Sequence, residues 1–534
     1  MIILSLLLRW LATAKAGQLV TQNADADFNI ESWSLDVHPS PNNTANFIFN
    51  TVHSLLTGWP GRRYRNGHTI VPGILPAGTL LYHGRGDPHV PETPEWTALD
   101  SELSTLYCGL FSEDHQGCWH LTLVAERSLK VLYFDGYSGL KFPGGTIDSQ
   151  DVVAWGKIEP DNYSEEPRRI SDLCNWGKQF GIDGFVRLHT SYEVMLCNFS
   201  AGLRVDSILH LKMPYVPQPA NSSFQGPPIR PPPKMEVGIP LDAFGLEEIL
   251  ASKRIDEYPG EVRIQLDLHR LVSFYDISLA PSLVSTRFGQ HRLRHRILGI
   301  SQEDIIAAKE RIADELAAEK WTGLVSGIDW PSWFHTLVQR YADRLELLYL
   351  DLNSTDCAED ISPIMRRIFV QLRGMLQPYN LFSVQPKIKS NHEKFWAEPV
   401  YRTCAKAYPP FVSAQATFTP AEWLMFSSLS TVNGEICRVI TKMWADGVEY
   451  DLENTQTHDM PSLLRVHTQW KQDLDALMSW LDWTEWLKCA PACNFDEMCY
   501  LPISPYRVPG ADPAEDWIIQ ARDPRPTCVS KHSR

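Results

Sequence analysis

In the N-terminal part of the chain the apolar positions fall in short runs: Thr79 to His83, Trp119 to Val124, Val131 to Phe134, Gly184 to Leu188 and Glu193 to Cys197. Branched and aromatic residues fill these runs and Gly, Asp and Pro separate them, which is the pattern of short strands. Two stretches keep helical spacing instead, Leu99 to Leu110 and Arg169 to Phe180. Beyond residue 300 the period lengthens. Ser301-Gln-Glu-Asp-Ile supplies a Ser N-cap and an acidic first turn, and Ile305, Ile306, Ile312 and Leu316 recur at helical intervals. Further helices are predicted at Trp330 to Leu352, Ile361 to Leu376, Pro420 to Trp444 and Met460 to Leu487. The pattern predicts an α+β N-terminal domain followed by a mostly α-helical C-terminal domain.

The break between them is read in the Pro-rich stretch from Pro214 to Pro233. Proline fixes its own φ, donates no hydrogen bond and drives the preceding residue toward extended geometry, so this stretch predicts a semi-rigid linker. The division that follows is a leader over 1–16, an α+β domain over 17–213, a linker over 214–236, a helical domain over 237–488 and a cysteine-containing tail over 489–534. No internal repeat is evident.

Composition narrows the class. The 534 residues carry 64 acidic and 49 basic side chains, a formal charge of −15, which argues against binding nucleic acid or anionic lipid by overall charge. A hydrophobic share of 44% supports a large core and excludes a mainly disordered chain. Ile2 to Leu8 is apolar, and Ala14-Lys15-Ala16 places small residues where a signal peptidase reads them, so cleavage before Gly17 is expected; a buried N-terminal strand is the alternative. Five Asn-x-Ser/Thr sequons, at Asn42, Asn162, Asn198, Asn221 and Asn353, point the same way, toward a secreted glycoprotein. No later segment has the ~18 to 20 uninterrupted apolar residues of a stable membrane span. In the secretory route the eleven cysteines should mostly pair, and Cys489, Cys493, Cys499 and Cys528 read as disulfides before they read as a zinc site, so no metal is expected. The odd number leaves one thiol free and buried, or pairing between chains.

Four segments of the first region stand in a specific order. Thr79-Leu-Leu-Tyr-His-Gly is a strand ending in His83-Gly84. Glu95 to Cys108 then places Trp96 ahead of a helix carrying Ser104 and Tyr107. A strand pair spans Trp119 to Asp135, and Gly181-Ile-Asp-Gly-Phe-Val-Arg leads to Tyr192-Glu-Val-Met-Leu-Cys, where Glu193 opens an apolar strand. This order resembles the catalytic domain of the ADP-ribosyltransferase superfamily, in its poly(ADP-ribose) polymerase and diphtheria-toxin-like branch, over about residues 78–213. The resemblance implies that His83 and Gly84 bind the nicotinamide ribose and carboxamide, and that Ser104 bonds the carboxamide. It further implies that Tyr107 stacks on nicotinamide and that Glu193 is catalytic. Ser104 and Tyr107 follow Trp96 at the family's intervals of eight and eleven, and Ala201 to Lys212 resembles its closing strand. Two departures stand out: Trp96 replaces the usual Tyr, and only thirteen residues separate His83 from Trp96.

The chemistry is coherent in its own right. Breaking the bond between nicotinamide and ribose develops oxocarbenium character, which a nearby carboxylate steadies while it orients a nucleophile. Glu193 fits that role, His83 a ribose hydroxyl contact, and Tyr107 with Trp96 an aromatic sandwich. The expectation is a secreted ADP-ribosyltransferase-like protein that takes NAD as substrate and transfers ADP-ribose to a protein, a small molecule or water. Its alternatives are a catalytically inactive secreted interaction module that retains the fold, and an accessory enzyme acting on another metabolite. Three further features receive bland readings. Trp480, Trp483 and Trp486 are a core face, Arg292, Arg294, His295 and Arg296 a solvated surface, and Arg85-Gly86-Asp87 a chance tripeptide.

Overall fold

The computed structural model describes residues 33–111, 118–139, 141, 144–211, 258–317, 326–354, 361–382, 384, 394–407, 418–453, 459–501 and 525–530. The expected leader over 1–16, the linker over 214–236 and the Asn221 sequon lie outside them. Helices α1 (Ala45–Ser54) and α2 (Gly58–Arg63) lead into strands β1 (Thr69–Leu75), β2 (Leu80–Arg85) and β3 (Glu95–Ala98). Helix α3 (Ser101–Phe111) follows, then β4 (Cys118–Ala125), β5 (Leu129–Phe134), α4 (Asp148–Trp155) and α5 (Glu166–Gly177). Next come β6 (Gly184–Leu188), β7 (Tyr192–Leu196) and β8 (Leu203–Leu211), and later β9 (Gln265–Leu266) and β10 (Val272–Ser273). The C-terminal part is mainly helical: α6 (Ser282–Arg287), α7 (Gln302–Ala317), α8 (Trp330–Leu352), α9 (Ser362–Leu376), α10 (Glu398–Ala405), α11 (Pro420–Glu449) and α12 (Met460–Leu481). A small hairpin of β11 (Glu497–Tyr500) and β12 (Thr527–Ser530) completes the described chain.

Three of the long helices start by one device. Asp329 accepts from the Ser332 amide before α8, Asp459 from the Ser462 amide before α12, and Thr419 exchanges reciprocal bonds with Glu422 before α11, each with Pro in the first turn. These caps satisfy amides that have no intrahelical partner, and a missing proline amide costs nothing there.

Ten strands form one sheet in the order β10-β1-β5-β6-β7-β3-β2-β4-β8, with β9 also on β1. Strands β5 and β6 run parallel, and the other pairs are antiparallel. Alternate residues face opposite ways, so the sheet feeds two cores. Val71, Val131, Val186 and Val194 join Phe334, Leu345, Ile436 and Trp470 of the long helices in one cluster. Ile70, Leu132, Phe185 and Met195 pack with Val152 of α4, Leu173 of α5 and Ile312 of α7 in the other. The molecule is thus three layers, with helices on both faces of the sheet.

This changes the expected division at the linker. A sheet-rich N-terminal region does precede a mostly helical one. The expected helical domain over 237–488 nevertheless returns β9 and β10 to the sheet, and its long helices share the sheet's core. Helix α12 stops at Leu481 rather than Leu487 because Asp482 turns left-handed at φ 47°. Trp483 is therefore buried beyond the helix end and stacks on Trp486, with ring centroids 5.4 Å apart. The basic segment is only partly a solvated surface: Arg294 is exposed, whereas His295 is buried, Arg296 pairs with Asp148 at 3.0 Å, and Arg292 lies 3.8 Å above the Tyr64 ring. In the tripeptide, Arg85 is bonded to Asp87 at 2.7 Å.

Five disulfides join Cys108–Cys118, Cys174–Cys197, Cys404–Cys437, Cys489–Cys499 and Cys493–Cys528. The eleventh cysteine, Cys357, lies outside the described residues. No helix among the described residues is long and apolar enough to cross a membrane.

Candidate functional site

Strands β7, β3 and β2 lie side by side and carry Glu193, Trp96 and His83. Tyr82 aligns with Ala98, and Ala98 with Glu193, so these three face one way. Trp96, two residues from Ala98, shares that face, as does Gly84, two from Tyr82. His83 faces the other way, toward the core of the long helices, where its ring lies 5.5 Å from that of Phe199. The expectation that His83 and Glu193 meet at one ribose is not fulfilled, because odd and even positions of a strand point to opposite faces.

His83 is engaged where it sits. Its Nδ1 is 2.6 Å from the Trp96 carbonyl oxygen, which can only accept, so Nδ1 donates; Nε2 lies 2.9 Å from the Glu95 carboxylate. Gly84 is required by packing. A Cβ there would come within 2.2 Å of the Ser104 carbonyl oxygen, so α3 rests directly on β2.

Helix α3 carries both of its predicted site residues to the face of Glu193. The Ser104 hydroxyl is fully buried, donates to the Ser101 carbonyl at 2.7 Å and lies 2.7 Å from His120 Nε2. Since the hydroxyl hydrogen is committed to Ser101, His120 donates to Ser104. Burial lowers the His120 pKa, which favours that neutral ring. One turn on, the Tyr107 hydroxyl donates to Glu193 Oε2 at 2.9 Å. Burial, reinforced by the Glu193 charge, pushes the phenol well above its usual range, so it remains a donor. Trp96 is half-buried, and Lys141 Nζ lies 5.5 Å from its ring centroid.

Glu193 is 2% exposed, and its other oxygen accepts from Arg187 Nε in a close contact. Arg187 is its cross-strand partner, on the neighbouring strand β6. Arg187 also reaches Glu166 on α5 at 2.8 Å and Gln150 on α4 at 3.3 Å. Glu166 continues to Arg169 at 2.9 Å, and Arg169 to Asp151 at 2.9 Å. Three carboxylates and two guanidiniums thus form one buried chain between the sheet and α4/α5. Burial opposes the Glu166 charge, but Arg187, Lys141 and Arg169 outweigh it and hold the carboxyl at about 2. At Asp151 burial wins over Arg169 and raises the carboxyl to about 6.

Sequence reasoning singled out Glu193 and omitted Arg187, Glu166, Arg169, Asp151 and His120. The signal for Arg187 was available: opposite charges in two otherwise apolar strands, joined by a short turn, oppose each other across a hairpin. The helical partners could not be read, since their meeting depends on how α4 and α5 cross the sheet. The chemistry open to the cluster is that of a neutralised carboxylate, with a phenol on one oxygen and a guanidinium on the other. Its ligands for a metal are spoken for by arginines, and the Cys489, Cys493, Cys528 grouping is disulfide-bonded.

Comparison with known proteins finds likenesses over part or most of the chain. Residues 29–117 and 111–223 match the model described as the YPL277C N-terminal domain. The chain is 26% identical to the uncharacterized protein YOR389W of Saccharomyces cerevisiae, over 86% of this chain and 81% of that protein. It is 27% identical to the uncharacterized protein YPL277C of the same yeast, over 59% of this chain and 76% of that protein. No solved structure matches.

Proposed function

We propose that this chain is a secreted glycoprotein built on an ADP-ribosyltransferase-like sheet in which the candidate catalytic carboxylate serves structure, so that the molecule acts by binding rather than by NAD cleavage. One observation carries the reading: Glu193 is closed between Arg187 and Tyr107 at 2% exposure. A carboxylate that steadies an oxocarbenium must offer uncompensated negative charge to the ribose. Glu193 offers a neutralised pair, and His83 is on the far side of the sheet. The adjacency of β7, β3 and β2, with β8 closing the edge beside β4, supports the family likeness of the sheet. Five disulfides and the exposed sequon residues Asn42 and Asn198 support the secretory route.

A second reading keeps the NAD chemistry. Gly84, Trp96, Ser104, Tyr107 and Glu193 all lie on one side of the sheet, and this reading requires Arg187 to release Glu193 when NAD enters. Incubating the purified protein with NAD and following nicotinamide by chromatography separates the two. The expected outcome is no release above the protein-free blank and no NAD-induced rise in unfolding temperature. Release that disappears in Glu193→Gln would overturn the binding reading and establish the second.

A further inference from the structure

A cavity of about 260 Å³ lies between the start of α1, the segment from β10 through α6, and helices α11 and α12, and shares no lining residue with the Glu193 network. Its lining runs from buried Phe274 and Leu477 through half-buried Phe47 and Trp480 to Phe288 and Ile277, which are 59% and 50% exposed. The hollow therefore opens to solvent through an apolar, partly aromatic mouth.

The sequon Asn42-Asn43-Thr44 borders the same cavity with all three of its residues. Thr44 Oγ1 donates to the Tyr275 carbonyl at 2.7 Å, and Asn43 Oδ1 accepts from the Ala45 amide at 2.8 Å. These bonds fix the sequon against the segment after β10 and at the start of α1, while Asn42 itself stays exposed. A sugar joined to Asn42 thus begins at the cavity wall. At ~30 Å³ per water the hollow holds about nine waters, room for one sugar ring and too little for a branched glycan. The ring of N-acetylglucosamine, the first sugar of an Asn-linked glycan, is amphipathic: its C–H face packs on aromatic rings while its hydroxyls stay in water. Such a contact is weak for a free sugar. A covalent tether raises the local concentration to the millimolar range, so a weak site is filled by the sugar already attached.

We propose that the first N-acetylglucosamine of a glycan on Asn42 docks in this cavity, its apolar face against Phe47, Phe288 and Trp480, and that the rest of the glycan leaves through the mouth. The inference rests on the secretory reading above, since Asn42 is glycosylated only along that route. It covers apolar surface that the chain leaves open to solvent, and it makes this glycan part of the packing rather than a solvated appendage.

The full-length protein, secreted from a host that makes high-mannose glycans, tests the assignment. Peptide-N-glycosidase acting on the native protein should release the Asn42 glycan about tenfold or more slowly than the Asn198 glycan, because the docked sugar must first open. Phe288→Ser, at an exposed position, should erase most of that protection. Asn42→Gln should lower the unfolding temperature by about 2 °C or more, but should add no further loss in the Phe288→Ser background. Endoglycosidase H, which leaves the first sugar on the asparagine, should not lower it. Asn42 found bare beside a glycosylated Asn198 would overturn the inference and leave the secretory reading standing, whereas a secreted protein with no glycan at all would remove both. An Asn42 glycan released as fast as that on Asn198, or protection unchanged by Phe288→Ser, would overturn the inference alone. A dimer in solution that Phe288→Ser dissociates would also overturn it, by assigning the mouth to a second copy.

Discussion

Replacing Arg187 by Met leaves a chain of similar length and removes the donors that reach Glu193, Glu166 at 2.8 Å and Gln150 at 3.3 Å. Two carboxylates with side chains only 5% and 3% exposed then lose a counter-charge. Breaking a buried ion pair from one side costs about 3–5 kcal/mol. Glu166 retains Arg169 at 2.9 Å and Glu193 retains the Tyr107 hydroxyl at 2.9 Å, which places the loss near the low end, about 3 kcal/mol. Glu193→Gln is milder. It keeps the shape, Tyr107 can still donate to the amide oxygen, and Arg187 is still answered by Glu166, so the cost is about 1–2 kcal/mol. In the double variant the stranded carboxylate is gone, so the second substitution should add much less than it costs alone, with a coupling of roughly 1.5 kcal/mol or more. Urea unfolding midpoints of the four proteins, followed by tryptophan fluorescence and far-UV circular dichroism, give the cycle directly. Arg187→Met costing no more than Glu193→Gln, or strictly additive costs, would refute the claim that Glu193 is held in a structural network.

Two further outcomes are expected. Glu166 is held at about 2 against an ordinary 4.5, so its contribution, about 3 kcal/mol by linkage, is present above pH ~4.5 and is lost as pH falls toward 2. Asp151, raised to about 6, has the opposite sign: its share is full below its ordinary range and is lost as pH rises through 6. Unfolding temperature should therefore drop steeply below pH 4, and Glu166→Gln should flatten that limb; an unchanged limb would count against the assignment. Among the sequons, Asn42 and Asn198 are exposed, whereas Asn162 donates to Glu159 at 2.6 Å and Asn353 donates to the Tyr349 carbonyl at 2.8 Å and accepts from Lys471 at 2.5 Å. Intact glycopeptide mass spectrometry should find glycan at Asn42 and Asn198 and bare asparagine at Asn162 and Asn353; the reverse distribution would contradict the packing.

What the amino-acid pattern reveals depends on whether a signal is local. Helix α8 spans the predicted Trp330–Leu352 because its apolar stripe and its Asp-Trp-Pro-Ser start both lie within the segment. Strand β6 likewise matches Gly184–Leu188. Strand β1 escaped notice because Pro72 and Gly73 interrupt it, a sequence ordinarily read as a turn; its neighbours β5, β9 and β10 hold it in place. Helix α1, Ala-Asn-Phe-Ile-Phe-Asn-Thr-Val-His-Ser, is poor in strong helix formers and forms because Ile48, Phe49 and Val52 are buried against the long helices. In the site, Ser104 and Tyr107 both lie on α3, a helix whose local apolar spacing is legible, and Tyr107 is the one that bonds Glu193. The facing of His83 was lost because the β2–β3 register is a tertiary property, and the neutralisation of Glu193 depended on partners distant in sequence.

The sheet's shared core sets an order of events at the ribosome. Strand β8 ends at Leu211, yet the helix that completes the cover of the same core, α12, ends at Leu481, about 270 residues later. At a synthesis rate of ~5–20 residues per second, the inner face of the finished strands waits roughly 15–50 s for its partner. During that interval an apolar surface must be shielded by something other than the protein itself. Shielding of that face is therefore part of how this fold is reached, and a fragment cut at residue 211 would inherit the exposed face permanently.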